Sequence, residues 1–305
     1  MTAIACPALD GREPLGFLAA LGTLRLLADH ADPEATLHWS TTDASAVLDT
    51  AAAETPAALV AWIVGVIDGI GQRQVIPGAP DDLPPPGEAP DRIRLAPAAL
   101  RHYVSNIEGD RRTNHRWIAS LVTDLATDDK GRAAISLLAA PSGKQSMRTM
   151  LEKPLDLIRR SPDRLDEALR NWVRVPGCTG EYLDHRVLFD AADSPDGQSR
   201  ERGVPGATWL ALMAHPLLRT TSLDGRVPVT TGWRRTPAGP VFEWPLWQPP
   251  LTVDAVQVLL EHPAVHAEDS SARRARQALG IFAIHRAQRR RVSGRNFAGV
   301  LTPTT

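Results

Sequence analysis

The chain has 305 residues, 43% of them hydrophobic and 23% charged, with a formal net charge of −1. That length supports one large domain or two small ones with real cores, and the near-neutral balance excludes a generic polyanion binder, so charge is read segment by segment. The two cysteines, Cys6 and Cys178, are too few for a structural zinc site or a disulfide-built secreted scaffold.

The opening "MTAIACPALDG" has no basic stretch followed by an apolar one, so it does not read as a signal peptide. No apolar run reaches about 18 residues, and a membrane-spanning helix is not expected. The expectation is a soluble, cytoplasmic protein. Residues 2–9 read as a strand, "DGRE" as a turn, and Pro14 as the first residue of a helix running to about His30. That helix is apolar nearly all round and therefore a core element. Its Gly16 and Gly22 predict close approach to a neighbouring strand or helix. Residues 35–40 alternate as a strand, and helices are predicted over 43–53 and 56–69. Residues 76–91 hold six prolines and read as a surface loop or linker.

Helices are predicted near 96–105 and 113–127, while 132–140 reads as either strand or helix. "PSGKQS" breaks the pattern before a helix near 145–160. "SPDRLDEALRNWV" (161–173) is a helix with Ser161 as its cap and Pro162 at its first position. From 176 to 250 the texture turns to glycine, proline, tryptophan and short alternating runs, with a hairpin over 227–247 around "TPAG". Residues 252–260 return to helix, and 270–291 read as a basic helix with a polar tail. No internal repeat is present. The fold class is α+β: a mainly helical region 1–175, a strand-rich segment 176–250 and a helical basic segment 251–305, all compatible with one continuous domain.

Catalytic constellations are sparse. His262 and His266 stand four apart, but Pro263 between them argues against a metal pair. No HExxH, CxxC, G-x-S-x-G or phosphate-loop pattern occurs, and neither metal nor cofactor is expected. Cys178 and His185 suggest a thiol–imidazole pair only weakly, because nothing marks a third orienting group. Nucleic-acid features are stronger. Residues 270–305 carry Arg273, Arg274, Arg276, Arg286, Arg289, Arg290, Arg291 and Arg295 without any Asp or Glu. Such a stretch attracts phosphates locally; an acidic protein surface is the other partner it suits. "SGKQSMR" (142–148) offers Lys144, Gln145 and Arg148 at a helix start, either as a phosphate seat or as a plain capped helix. Arg234 and Arg235 add charge within the hairpin. Eight tryptophans stand against two tyrosines and five phenylalanines. Tryptophan is mostly core, but "WPLWQPPL" (244–251) is a candidate docking ridge.

"LDGREPLGFLAALGTLRLL" (9–27) resembles the N-terminal signature of large-subunit-type proteins of type I-U (also called I-G) CRISPR effector complexes, through Pro14, Leu15, Leu18, Leu21, Gly22, Leu24 and Arg25. "SGKQS" (142–146) is similar to a Gly-x-Gln step in the middle of such subunits, and "GVPGATWLALMAHPLLR" (203–219) to a later segment that precedes a strand-rich region. The chain is shorter than the longest large subunits, as a compact variant or an accessory subunit would be. The resemblance implies a non-enzymatic subunit of an RNA-guided surveillance (Cascade) complex in antiviral defence. Its partners would be other effector subunits, guide RNA and target DNA. It would help to recognise the motif flanking the target and offer a landing surface for a helicase–nuclease. Base pairing by the guide would carry sequence specificity. The candidate contact residues rest on local charge and not on the resemblance. Two other readings stay open: a protein-interaction module of the same system, and an enzyme with a pocket near Cys178 and His185.

Overall fold

In the computed structural model, which describes residues 1–86, 93–139, 145–187, 201–237, 239–290 and 299–304, the chain begins with strand β1 (Thr2–Asp10) and helix α1 (Pro14–His30). Pro14 opens α1 as predicted, because its missing N–H falls where the helix needs none. Strands β2 (Thr36–Trp39) and β3 (Ser45–Thr50) follow. The helix predicted over 43–53 is therefore corrected to a strand. Ala46, Leu48 and Thr50 point inward with period two, and Leu48 pairs with Ile4 of β1 and Leu37 of β2.

Helices α2 (Pro56–Asp68), α3 (Pro97–Asn106) and α4 (Arg111–Leu121) come next. The helix expected to reach 127 stops at Leu121. Val122 turns extended and begins β4 (Val122–Thr127), which pairs with β5 (Ala133–Ile135). Helices α5 (Met147–Arg160) and α6 (Asp163–Arg170) then lead to a short pair, β6 (Val175–Pro176) and β7 (Arg202–Gly203). Ser161 ends α5 and does not cap α6, where Pro162 holds the cap position.

Helix α7 (Pro205–Met213) is buried along its length. Strands β8 (Thr220–Leu223) and β9 (Val227–Thr230) form a hairpin whose Asp224 and Gly225 both take positive φ. A second hairpin joins β10 (Trp233–Thr236) to β11 (Gly239–Trp247) at the predicted "TPAG" turn. The short β12 (Leu251–Thr252) returns to pair with β2, completing the antiparallel sheet β1–β3–β2–β12. Helices α8 (Val253–Leu260), α9 (Pro263–His266) and α10 (Ser270–Ala278) follow, then β13 (Ile281–Arg290) and β14 (Val300–Thr304). The second sheet has the order β10–β11–β13–β14.

The basic helix expected over 270–291 is thus half helix and half strand. Gly280, at a left-handed φ of 70°, ends the helical run, and the next ten residues bond along β11 and β14. Phe282 on β13 is exposed. The fold is mixed α+β, and residues from Ile4 to Leu301 share one buried core, so all three segments of the chain contribute to it.

Helix α1 is the centre of that core. Every residue from Pro14 to Leu27 is buried, against β1 at its start and α7 farther along. A methyl group on Gly16 would lie 2.3 Å from the Asp10 carbonyl oxygen, and one on Gly22 would lie 1.7 Å from that of Leu210. Both glycines therefore serve the close approaches predicted for them. Phe17 anchors an aromatic cluster: it stacks on Trp39 at 5.7 Å and also meets Phe242, Trp244 and Trp247. Trp244 and Trp247 donate their indole N–H groups to the carbonyls of Gly11 (2.7 Å) and Leu37 (2.8 Å). The docking ridge proposed for 244–251 is accordingly corrected: Trp244, Leu246 and Trp247 are fully buried.

Gly22→Ala forces α1 and α7 apart, because the obstructing atom is backbone and cannot rotate away. It should cost about 3 kcal/mol or more, at the upper end of overpacking penalties. Urea unfolding measures the loss, with an exposed control at Gly65, where an added methyl meets nothing.

Candidate functional site

The arginines singled out by charge divide into two groups. The first is held inside the fold. Glu243 on β11 is completely buried, and its carboxylate accepts from Arg234 (2.9 Å) and Arg286 (2.6 Å) and meets His266 Nδ1 at 2.9 Å. Glu268, just ahead of α10, takes a further bond from Arg286 at 2.6 Å. Burial alone would raise the Glu243 carboxyl. The bonds from His266 and Arg286, with the charges of Arg234 and Arg286, hold it below the ordinary glutamate range. Arg234 and Arg286 thus fasten β10, β11 and β13 to the segment that carries α9 and α10. His262, four residues before His266, accepts from the Ala264 N–H and caps α9.

Arg289 is also structural. It donates to the carbonyls of Leu137, Leu138 and Gly299 and lies over the Trp233 ring. Desolvation brings its guanidinium down to about 10, with the charge of Glu181 acting in the opposite sense, and it stays cationic at neutral pH. Arg148 donates to the carbonyls of Asp81 (2.7 Å), Pro84 (3.1 Å) and Arg73. It pins the proline-rich segment onto α5. Ile76, Ala79 and Leu83 are consequently buried, so the described part of 76–91 is not a free surface linker. Ser146 caps α5 in a reciprocal box with Thr149, the plain helix start considered above. Arg148, Arg234, Arg286 and Arg289, expected from charge as nucleic-acid contacts, thus serve as internal ties, each with bonded partners within the chain. Lys144, Arg291 and Arg295 lie outside the described residues.

The second group is different. Arg235, Arg273, Arg274 and Arg290 are exposed and Arg276 is partly so, and among the described residues their side chains have neither an ion pair nor a hydrogen bond. Arg235 pairs across the hairpin with Pro240, while Val241 pairs with Gln288, so Arg235 and Arg290 lie towards the same end of the second sheet. Arg273, Arg274 and Arg276 follow on α10, which packs against β13. Five unneutralised guanidinium groups thus belong to one sheet and the helix packed on it. Forked donors of this kind grip phosphate oxygens.

Charge counting did not reveal Glu181. Gly180, Glu181 and Tyr182 take φ of 56°, 48° and 57°, three successive residues in the left-handed region. For the two non-glycines this is strained backbone, which concentrates at functional sites. The Glu181 side chain is buried; its Oε2 accepts from Gln145 at 2.5 Å and its Oε1 meets Thr179 Oγ1 at 3.3 Å. Gln145, expected as a nucleic-acid contact, acts here as an internal donor. A cavity of about 90 Å³ beside Glu181 is bordered by Lys153, Cys178 and Thr208. Burial pushes the carboxyl up to about 7, against the opposing pull of Lys153, Gln145, Thr179 and Arg289. The group can take up or release a proton near neutral pH. Cys178 is a poor nucleophile here, since burial pushes its thiol up to about 11. His185 does not border this cavity and lies instead near Glu13 (3.8 Å) and Asp184 (3.9 Å). Only the run of glycines around 177–180 hinted at an unusual backbone here.

Neither a model of a known family nor a curated protein sequence matches this chain.

The raised Glu181 carboxyl predicts a pH dependence. The unfolded chain loses this proton near 4.5 and the folded one near 7. In that window the folded state binds more protons, so stability falls as pH rises, by up to about 3 kcal/mol. Buried His215, lowered to about 4 by desolvation, acts in the opposite sense between 4 and its ordinary 6.5. The comparison is therefore a difference curve between wild type and Glu181→Gln. It should show the variant gaining stability relative to wild type from pH 5 to 7 and levelling off above; a flat difference overturns the assignment.

Proposed function

We propose that this protein is a non-enzymatic, nucleic-acid-binding subunit of a CRISPR RNA-guided surveillance complex, acting in the cytoplasm in antiviral defence. The observation that carries the binding reading is the set of exposed or partly exposed arginines without partners among the described residues: Arg235, Arg273, Arg274, Arg276 and Arg290. A near-neutral chain that leaves these charges unmatched while neutralising Arg234 and Arg286 with buried or nearby carboxylates has a surface suited to phosphates. The assignment to a CRISPR complex rests on the resemblance of residues 9–27, which form the core helix α1 and its approach. That stretch supports kinship and contributes no contact surface. In this reading, guide RNA and target DNA meet the arginine surface, other effector subunits hold the chain in place, and a helicase–nuclease docks on the assembled complex. The contacts made by these arginines position the nucleic acid and carry no base sequence.

A salt titration tests the binding. The logarithm of affinity for a DNA or RNA strand should fall linearly with the logarithm of salt concentration, by about 0.9 per duplex phosphate contact. The triple variant Arg273→Ala, Arg274→Ala, Arg290→Ala should reduce that slope by about 2 to 3. An unchanged slope overturns the interface and favours a protein-interaction module. Co-purification of the tagged chain with CRISPR effector subunits and a guide RNA tests the assembly; recovery of the chain without them overturns it.

A further inference from the structure

A cleft of about 340 Å³ lies outside the arginine surface, where the second half of α1, the first turns of α4, residues 77–78 and the start of α8 meet. Three guanidinium groups border it, from Arg25, Arg112 and Arg116, against two carboxylates, Asp29 and Asp254. Arg25 is the unusual member. It is only 2% exposed on a helix that is otherwise core, yet it borders an open cleft. Desolvating a guanidinium is costly unless its donors are satisfied. Arg25 Nε donates to the Met213 carbonyl, one terminal nitrogen donates to Asp29 at 2.6 Å, and the other meets only the weak sulfur acceptor of Met213 at 3.7 Å. Of its five N–H donors, one on each terminal nitrogen has no acceptor among the described residues.

The neighbours add donors and few acceptors. Asp29 is already shared by Arg25 and Arg116, which bonds it at 2.9 Å. Burial works to raise that carboxyl, but the two arginines hold it below the ordinary range, so it stays charged. Arg116 spends one donor there. Arg112 is exposed and spends none among the described residues. The cleft also faces the beginning of α4, where Asp110 caps the Thr113 N–H and the peptide groups of the first turn add positive potential. Among the groups that border the cleft, three guanidinium groups stand against two carboxylates, with the Asp110 carboxylate beside Arg112 at the helix cap, and N–H donors are in excess. That excess suits an oxyanion with several oxygens. The volume falls within the range of small-molecule sites, about 300–1,000 Å³, and exceeds the needs of a bare tetrahedral ion.

We propose that this cleft binds the phosphate group of a nucleotide-sized phosphate ester, with Arg25 at its base and Arg112 and Arg116 at its sides. The ester is either a free nucleotide or the phosphorylated end of a strand. The site shares no residue with the arginine surface, and it stands or falls separately from that reading.

Thermal unfolding of the full chain tests it, with inorganic phosphate as the probe and chloride at matched ionic strength as the control. Wild type should gain melting temperature saturably with phosphate. Arg112→Glu, at an exposed position whose side chain makes no hydrogen bond or ion pair among the described residues, should raise the half-saturating phosphate concentration at least tenfold, and Arg112→Lys should fall between. The Arg273→Ala, Arg274→Ala variant should respond like wild type. Equal effects of phosphate and chloride overturn the site, as does a wild-type response in Arg112→Glu. Adenosine monophosphate and a 5′-phosphorylated tetranucleotide, each compared with its unphosphorylated form, then identify the source. Tighter binding of either phosphorylated probe supports the proposal and names the ester. Failure of both to compete with inorganic phosphate overturns it.

Discussion

The contact between Gly22 of α1 and the Leu210 carbonyl of α7 sets the geometry of the whole molecule. Two helices approach so closely there that no side chain fits between them. With that spacing fixed, the remaining residues of α1 can reach both ways, through Phe17 to the aromatic cluster and through Gly16 to the end of β1. The two sheets contribute to one core because Trp39 from the first and Trp244 and Trp247 from the second enclose the same phenylalanine. The indole N–H bonds to Gly11 and Leu37 then fix the orientation of those rings, so that large apolar groups also carry directional information.

A second theme is the use of arginine as internal framework. Arg148, Arg159 and Arg289 each donate to backbone carbonyls of segments that have no regular secondary structure. A buried loop leaves carbonyl oxygens without ladder partners, and the five-donor guanidinium satisfies several at once. Lysine, a single point of charge, does this less well. The arginine-rich composition is thus partly architectural. The surface available to a polyanion is what remains after those internal demands are met, and it is smaller than a count of basic residues implies.

Much of the fold was legible because its signals were local. Pro14, the apolar run after it and the two glycines announced α1, and "TPAG" announced the β10–β11 hairpin. Where the reading failed, a helical and a strand pattern fitted the same residues. Ala46 and Leu48 suit both, and pairing with β1 and β2 decided for the strand. Along 281–290 the arginines suggested a helix because their spacing could be placed on either period, and only the hydrogen bonds to β11 resolve it. The site was less legible still. Whether an arginine is free depends on carbonyls and carboxylates about 10 to 150 positions away, as with Arg234 and Glu243 or Arg289 and Leu138. For Glu181 the sequence offered only the nearby Gly177 and Gly180, because its burial arises from contacts distant in sequence.

The partners of α1 have a consequence for how the chain is made. The helix is complete by residue 30, but the carbonyl that meets Gly22 belongs to Leu210, and the rings that enclose Phe17 arrive only at 242–247. At a synthesis rate of about 5–20 residues per second, those partners follow roughly 10–40 s later. Throughout that interval an apolar helix waits without its core, and contacts so distant in sequence also slow folding itself. The element that organises the finished protein therefore gains these partners only as the last third of the chain emerges.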